Sequence, residues 1–208
     1  NVPFHEDADL VLGPTTKGRW SYAASKALDE FLALSYWKEK GLPVVVVYPC
    51  SVIGAGDPKA SGQYIENLLH RRLPATVFND AVLTFVHVKD VAEIIIRAAE
   101  KQNNIGEKYF AGKERLSFRK LNQMVGEMSG VPLPKLRLPD SLTMMNAVLF
   151  TALAGVIKKP PPWGMSLDQM RVMREGFRVD GSKAERELGI TYIPIRTALE
   201  ETIASYKE

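Results

Sequence analysis

The chain has 208 residues, 46% hydrophobic and 25% charged, which suits one or two globular domains. Its 27 basic and 24 acidic side chains leave a formal charge of +3, too even a balance to argue for a nucleic-acid partner. The one cysteine, Cys50, excludes an intrachain disulfide, and His5, His70 and His87 stand apart, so no metal cluster is expected.

Residues 1–18 read as a surface loop, with turn chemistry at Gly13-Pro14-Thr15-Thr16-Lys17-Gly18. A helix is predicted over 21–40, with Ala24, Ala27, Leu28, Phe31 and Leu34 as a core stripe. Gly41 stops it and Pro43 forbids its continuation. The β-branched run 44–48 suits a strand covered on both faces, as in a parallel sheet. Ligands of such sheets bind beyond the carboxyl ends of strands, where residues 49–52 lie. Cys50 reads as a small buried hydrophobe rather than a nucleophile.

A loop over 53–58 leads to a short helix at 64–72. Short strands are predicted at 75–79 and 85–88, followed by a helix over 91–101 with Asp90 as its N-cap and Ala92, Ile95, Ile96 and Ala99 on one side. His87 reads as a hydrogen-bonded structural histidine. A strand at 108–111 and a turn at 112–115 precede a helix capped by Ser117, with Phe118, Leu121, Met124, Val125 and Met128 inside and Gly130 at its end. Residues 140–157 form a helix capped by Asp140 and Ser141 that is apolar nearly all round, interrupted by Thr143, Asn146 and Thr151. It is expected to be buried or to wall a hydrophobic pocket; a membrane-surface contact aided by Lys158 and Lys159 is the lesser alternative. A Pro-rich linker at 160–164 leads to helices over 167–175, 182–188 and 195–206.

Tyr22 and Lys26 are four residues apart, so on a helix they share a face one turn apart. An ammonium beside a phenol favours the phenolate and lowers its pKa. Such a tyrosine can pass a proton to or from an alcohol or carbonyl.

The Ser21-Tyr22-Ala23-Ala24-Ser25-Lys26 stretch, with the helix and strand after it, resembles the extended short-chain dehydrogenase/reductase family: NAD-dependent epimerases, dehydratases and dihydroflavonol-reductase-like enzymes. Phe85-Val86-His87-Val88-Lys89-Asp90-Val91-Ala92, Gly106-Glu107-Lys108-Tyr109-Phe110-Ala111-Gly112 and Asp180-Gly181-Ser182-Lys183-Ala184 resemble three further segments of that family, in the same order. The Gly-rich loop with which relatives receive the pyrophosphate is not in this sequence, so the chain reads as the C-terminal part of a longer enzyme.

The resemblance implies an α/β fold: the C-terminal part of a Rossmann-type parallel sheet with a mostly helical substrate-capping lobe. Residues 1–52 and 84–112 would belong to the NAD(P)-binding domain, and 53–83 and 113–208 to the lobe. Tyr22 would be the acid/base, and Lys26 would tune it and hold the nicotinamide ribose. Pro49, Ser51 and Val52 would approach the nicotinamide. Thr15, Thr16 and Arg19 would touch substrate, and Arg171 and Arg174 would meet an anionic group on it. Relatives acting on nucleotide sugars carry an arginine where Leu83-Thr84 stand here, which favours the dihydroflavonol-reductase-like branch.

The expected function is hydride transfer with NAD or NADP at a hydroxyl or carbonyl carbon of a sugar-like or hydrophobic small molecule. The alternative is a non-catalytic binding or scaffolding protein with a truncated dehydrogenase fold. A cytoplasmic location is expected, without nucleic-acid or membrane contact. The resemblance allows a homodimer through the helix bearing the tyrosine.

Overall fold

The computed structural model describes residues 22–58, 60–159, 161 and 165–207, with the backbone alone for 22–24 and 60. Helix α1 (Tyr22–Lys40) ends where Gly41 takes the left-handed conformation, and the apolar run then enters strand β1 (Val46–Pro49). Beyond Cys50 the chain continues as β2 (Ser51–Ile53) and turns into α2 (Ala60–Leu69). Next come β3 (Val82–His87), α3 (Val88–Glu100), β4 (Lys108–Ala111), β5 (Glu114–Ser117) and α4 (Phe118–Ser129). Four helices complete the chain: α5 (Asp140–Ile157), α6 (Leu167–Glu175), α7 (Ser182–Leu188) and α8 (Ile195–Ser205).

The fold is α/β with parallel strands, as expected, but the strands divide between two sheets. β1 pairs with β4 in parallel, Val46 opposite Lys108 and Pro49 opposite Ala111. β2 pairs with β3 in parallel, and β3 with β5 antiparallel. The returning 85–112 segment therefore rejoins β1 through β4 alone, while β3 serves the second sheet. Of residues 112–115, read as a turn, Gly112 and Lys113 lie outside any strand, while Glu114 and Arg115 begin the edge strand β5; four residues are too few to show an alternating pattern. The strand expected at 75–79 is reduced to a single bridge between Thr76 and Arg137.

Two of the three apolar clusters among the described residues follow from this division. Ile94, Ala98, Tyr109, Ala111, Ala184 and Leu188 fill the space beside β1 and β4. Ile53, Leu83, Phe85, Phe118, Leu121, Val125, Ile195 and Leu199 join the second sheet to α2, α4 and α8. Thr84, fully buried in β3, accepts a hydrogen bond from the Val179 N–H at 3.0 Å and so ties the segment after α6 to the sheet.

Several sequence expectations are corrected here. On α3 the buried side is Asp90, Ile94 and Ala98; Ile95 and Ile96 are exposed. The N-cap of α3 is His87, whose Nδ1 accepts from the Lys89 N–H at 3.0 Å. Asp90 sits in the first turn and its carboxylate accepts from the Ile193 N–H at 2.9 Å. Burial raises the Asp90 pKa, offset by that N–H and by His87. Neither Asp140 nor Ser141 caps α5; Pro139 holds that position, and Thr143 bonds back to its carbonyl. The α1 stripe is only partly covered: Leu28 and Phe31 are exposed, and Ala27 and Leu34 are half-buried. α1 instead meets the β1–β4 pair through Glu30, which pairs with Lys108 at 2.7 Å, and through Trp37, packed against Gly106. The α5 helix is not buried: only Thr143 and Ala147 lie inside.

The two sheets meet at Cys50. Its N–H donates to the Ala111 carbonyl at 3.0 Å, and Gly112 follows at φ +151°. A Cβ at Gly112 would come within 2.7 Å of the Cys50 Sγ. Gly112→Ala should therefore lower stability by about 2 kcal/mol in a urea titration. Adding Cys50→Ala should restore part of that loss, because the sulfur is one of the atoms struck.

Candidate active site

A cavity of about 860 Å³ opens where β1 gives way to β2. Ser51 lines it, one residue past the Cys50 crossing, beside Ile53. Leu83 and Phe85 of β3 face it, because the odd positions of that strand share one side. Phe118 and Leu121 of α4 form one wall, and Tyr64 and Ile65 of α2 another. Asn146 and Phe150 of α5, with Met165 and with Met170 and Met173 of α6, close it. The Ser166 hydroxyl caps α6 by accepting from the Gln169 N–H at 3.2 Å, and Thr151 of α5 accepts from the Leu167 N–H at 2.8 Å. Those two bonds fix where α6 starts and which residues it turns toward the cavity.

The lining is apolar for most of its extent. Tyr64 is the phenol in it, donating to Asn122 Oδ1 at 2.9 Å, and burial pushes its pKa up to about 12. At neutral pH it is a neutral donor. Among the described lining residues, Arg171 is the cation, set against the carboxylates Asp168 and Glu175. A diphosphate needs convergent positive charge, and the described lining residues do not provide it. Leu83 is buried and lines the cavity.

Of the residues singled out by sequence, Ser51 and Arg171 reach the same cavity. Pro49 is exposed at the end of β1, and Val52 is half-buried opposite Val86. Arg174 lies exposed on the last turn of α6 and is not part of the cavity lining. Lys26 is exposed and pairs with Asp29 at 3.0 Å, a surface contact of small energetic weight. Tyr22 opens α1, so positions 22 and 26 are one helical turn apart; the Tyr22 side chain and Thr15, Thr16 and Arg19 lie outside the described residues. His87 is fully buried, with Nε2 facing Glu201 at 3.3 Å, too poorly aligned for a full hydrogen bond. Its role is structural.

Sequence reasoning missed Tyr64, Phe85 and Phe177 as cavity residues. Alternation along 83–87 was the usable signal for Phe85. Tyr64 and Phe177 carry no local pattern that separates a pocket wall from a core.

The sequence profile of the NAD dependent epimerase/dehydratase family matches residues 2–112. The chain belongs to that family. Family members are NAD-dependent, and the described elements from α1 to β4 lie within the matched residues. It is similar to sterol demethylase protein B of Methylococcus capsulatus, 28% identical over 171 residues, which are 81% of this chain and 51% of that one. It is also 27% identical over 195 residues to a Synechocystis sp. protein whose name ties it to dihydroflavonol 4-reductase, covering 91% of this chain and 55% of that one. The structure of a nucleoside-diphosphate-sugar epimerase from Pseudomonas aeruginosa superposes with a TM-score of 0.74 at 23% identity, covering 99% of this chain and 61% of that one. That likeness speaks for the fold alone. The chain spans about half the length of the curated relatives it matches.

Burial pushes the Cys50 thiol up to about 12. The folded protein should resist alkylation by iodoacetamide at pH 8, and denaturant should expose one reactive thiol. The folded state holds its proton where the unfolded thiol, near 9.0, loses it. Stability should therefore be intact below pH 9 and fall as pH rises toward about 12, with Tyr64 acting in the same direction. Cys50→Ala should flatten part of that fall in denaturation curves taken across the range.

Proposed function

We propose that the protein carrying this chain is an NAD(P)-dependent oxidoreductase acting on a secondary alcohol or ketone of a largely apolar substrate. The carrying observation is the cavity beside Ser51, deep, apolar and poor in cations. Its position beyond the carboxyl end of β1 is where open parallel sheets place ligands. The name of the Methylococcus capsulatus relative, which refers to a sterol, is in keeping with an apolar substrate.

NAD(P), when bound, accepts or returns the hydride. Pro49, exposed at the strand end, and Ser51, which lines the cavity, are the residues that would hold the nicotinamide. Tyr22 accepts the hydroxyl proton as the carbon loses hydride, and returns it in the reverse direction. Lys26 stabilises the phenolate from one turn along α1. Leu83, Phe85, Phe118 and the methionines of α6 exclude water from the reacting carbon and hold the apolar body of the substrate. Arg171 at the lining pairs with a single polar or acidic substituent rather than a diphosphate.

The test has two parts. NADH and NADPH are titrated by fluorescence, and oxidation of apolar secondary alcohols is followed by NADH formation. Tyr22→Phe should cut kcat by about a hundredfold or more while leaving NADH affinity in place. Leu83→Arg should raise KM for an apolar alcohol about tenfold, again with NADH affinity unchanged. A Tyr22→Phe variant with full kcat would overturn the acid/base assignment. A Leu83→Arg variant that turns over nucleotide sugars and apolar alcohols as the parent does would overturn the substrate class. No dinucleotide binding and no turnover would favour a non-catalytic binding protein.

A further inference from the structure

Helix α5 is amphipathic in the reverse sense. Asp140 and Ser141 open it and are exposed; beyond them its polar residues face the protein: Thr143 is fully buried and bonds to the Pro139 carbonyl, Asn146 lines the cavity, and Thr151 holds the start of α6. Its outer face carries Leu142, Met145, Val148, Leu149, Leu153 and Val156, all exposed, Met145 to 62% and Val156 to 79%. From Leu142 to Ile157 there is no charged side chain. A surface helix in water shows the opposite pattern. The three polar positions that interrupt the apolar run in sequence are spent on contacts inside the fold, so they do not make the outer face polar.

We propose that this face docks on a membrane surface rich in anionic lipid, with α5 lying in the interface plane. The helix does not span the bilayer, because its inner side is packed against α6 through Thr151, Ala147 and Met170. Cations bracket the apolar face: Lys135 and Arg137 before it, Lys158 and Lys159 after it, all exposed. That arrangement complements anionic headgroups at both ends of a buried stripe. A second copy of the chain is a poorer occupant. The cations at both ends of the stripe would meet like charge from a second copy in either helix orientation. The helix is also the partition between the outside and the cavity, since Asn146 and Phe150 line the latter. A lipid-soluble substrate would therefore be taken up where it is concentrated. The docking proposal stands on the helix face alone and does not need the substrate reading to hold.

The experiment is flotation of the purified protein with vesicles of phosphatidylcholine plus phosphatidylglycerol, and with phosphatidylcholine alone. The protein should float with the anionic vesicles and release in high salt. A Met145→Glu/Leu149→Glu/Val156→Glu variant, shown folded by circular dichroism, should float about tenfold less. Lys158→Glu/Lys159→Glu should weaken binding to the anionic vesicles alone. Absence of the parent protein from both lipid fractions overturns the proposal, as does a triple variant that floats like the parent. Light scattering that shows a dimer converted to monomer by the triple variant, without flotation, would assign the face to a second copy instead. Turnover of soluble alcohols by the triple variant reads the cavity separately from the face.

Discussion

The crossing at Cys50 is the constraint on which the rest of the structure depends. One nearly continuous strand pairs with β4 before that residue and with β3 after it. The change of partner requires the backbone to pass close to Gly112, and no side chain larger than hydrogen fits there. Tyr192 secures the same spot, with its hydroxyl accepting from the Gly112 N–H and within hydrogen-bond reach of the Phe110 and Gly181 carbonyls. Ser51, the first residue after the change of partner, lines the cavity.

The C-terminal segment is held by carboxylates from both sides of the crossing. Asp90 accepts from Ile193 and Glu114 from Ile195, so the entry to α8 is fixed by one residue of α3 and one of β5. Arg97 donates to the Leu188 and Gly189 carbonyls and closes α7. These charge-assisted bonds set the position of α8, whose Ile195, Leu199 and Ile203 complete the second core. The Phe85–Ala92 motif thus acts through geometry: Phe85 on the cavity, His87 at the start of α3, Asp90 on the backbone ahead of α8.

Helix positions were legible in the sequence because their caps are local. Ser117 and Gly130 mark α4, each where the pattern places it. The parallel strands were legible from the β-branched run. The split between two sheets was not, since partner choice at Val52 or Phe85 depends on residues tens of positions away. The faces of α1 and α3 were misjudged for a related reason. Periodicity finds an apolar stripe, but Phe31 and Ile96 meet no neighbour among the described residues that would bury them. At the candidate site, Ser51 and Arg171 were foreseeable from the resemblance. The Leu83–Phe85 wall became visible only when β3 took its place between β2 and β5.

The cavity has two kinds of boundary. The floor, from Ser51, Leu83 and Phe85, belongs to paired strands locked by the crossing. The opposite boundary, from α5 and α6, rests on Thr151, the Ser166 cap and three methionines, whose side chains repack at little cost. Shape discrimination is thereby uneven. The end of a ligand that meets the strands is held to a fixed register, while the end that meets the methionines can vary in bulk. Under the proposed function, such a site would read the position of a reacting group strictly and the remainder of the molecule loosely, and this would favour a series of related compounds over a single one.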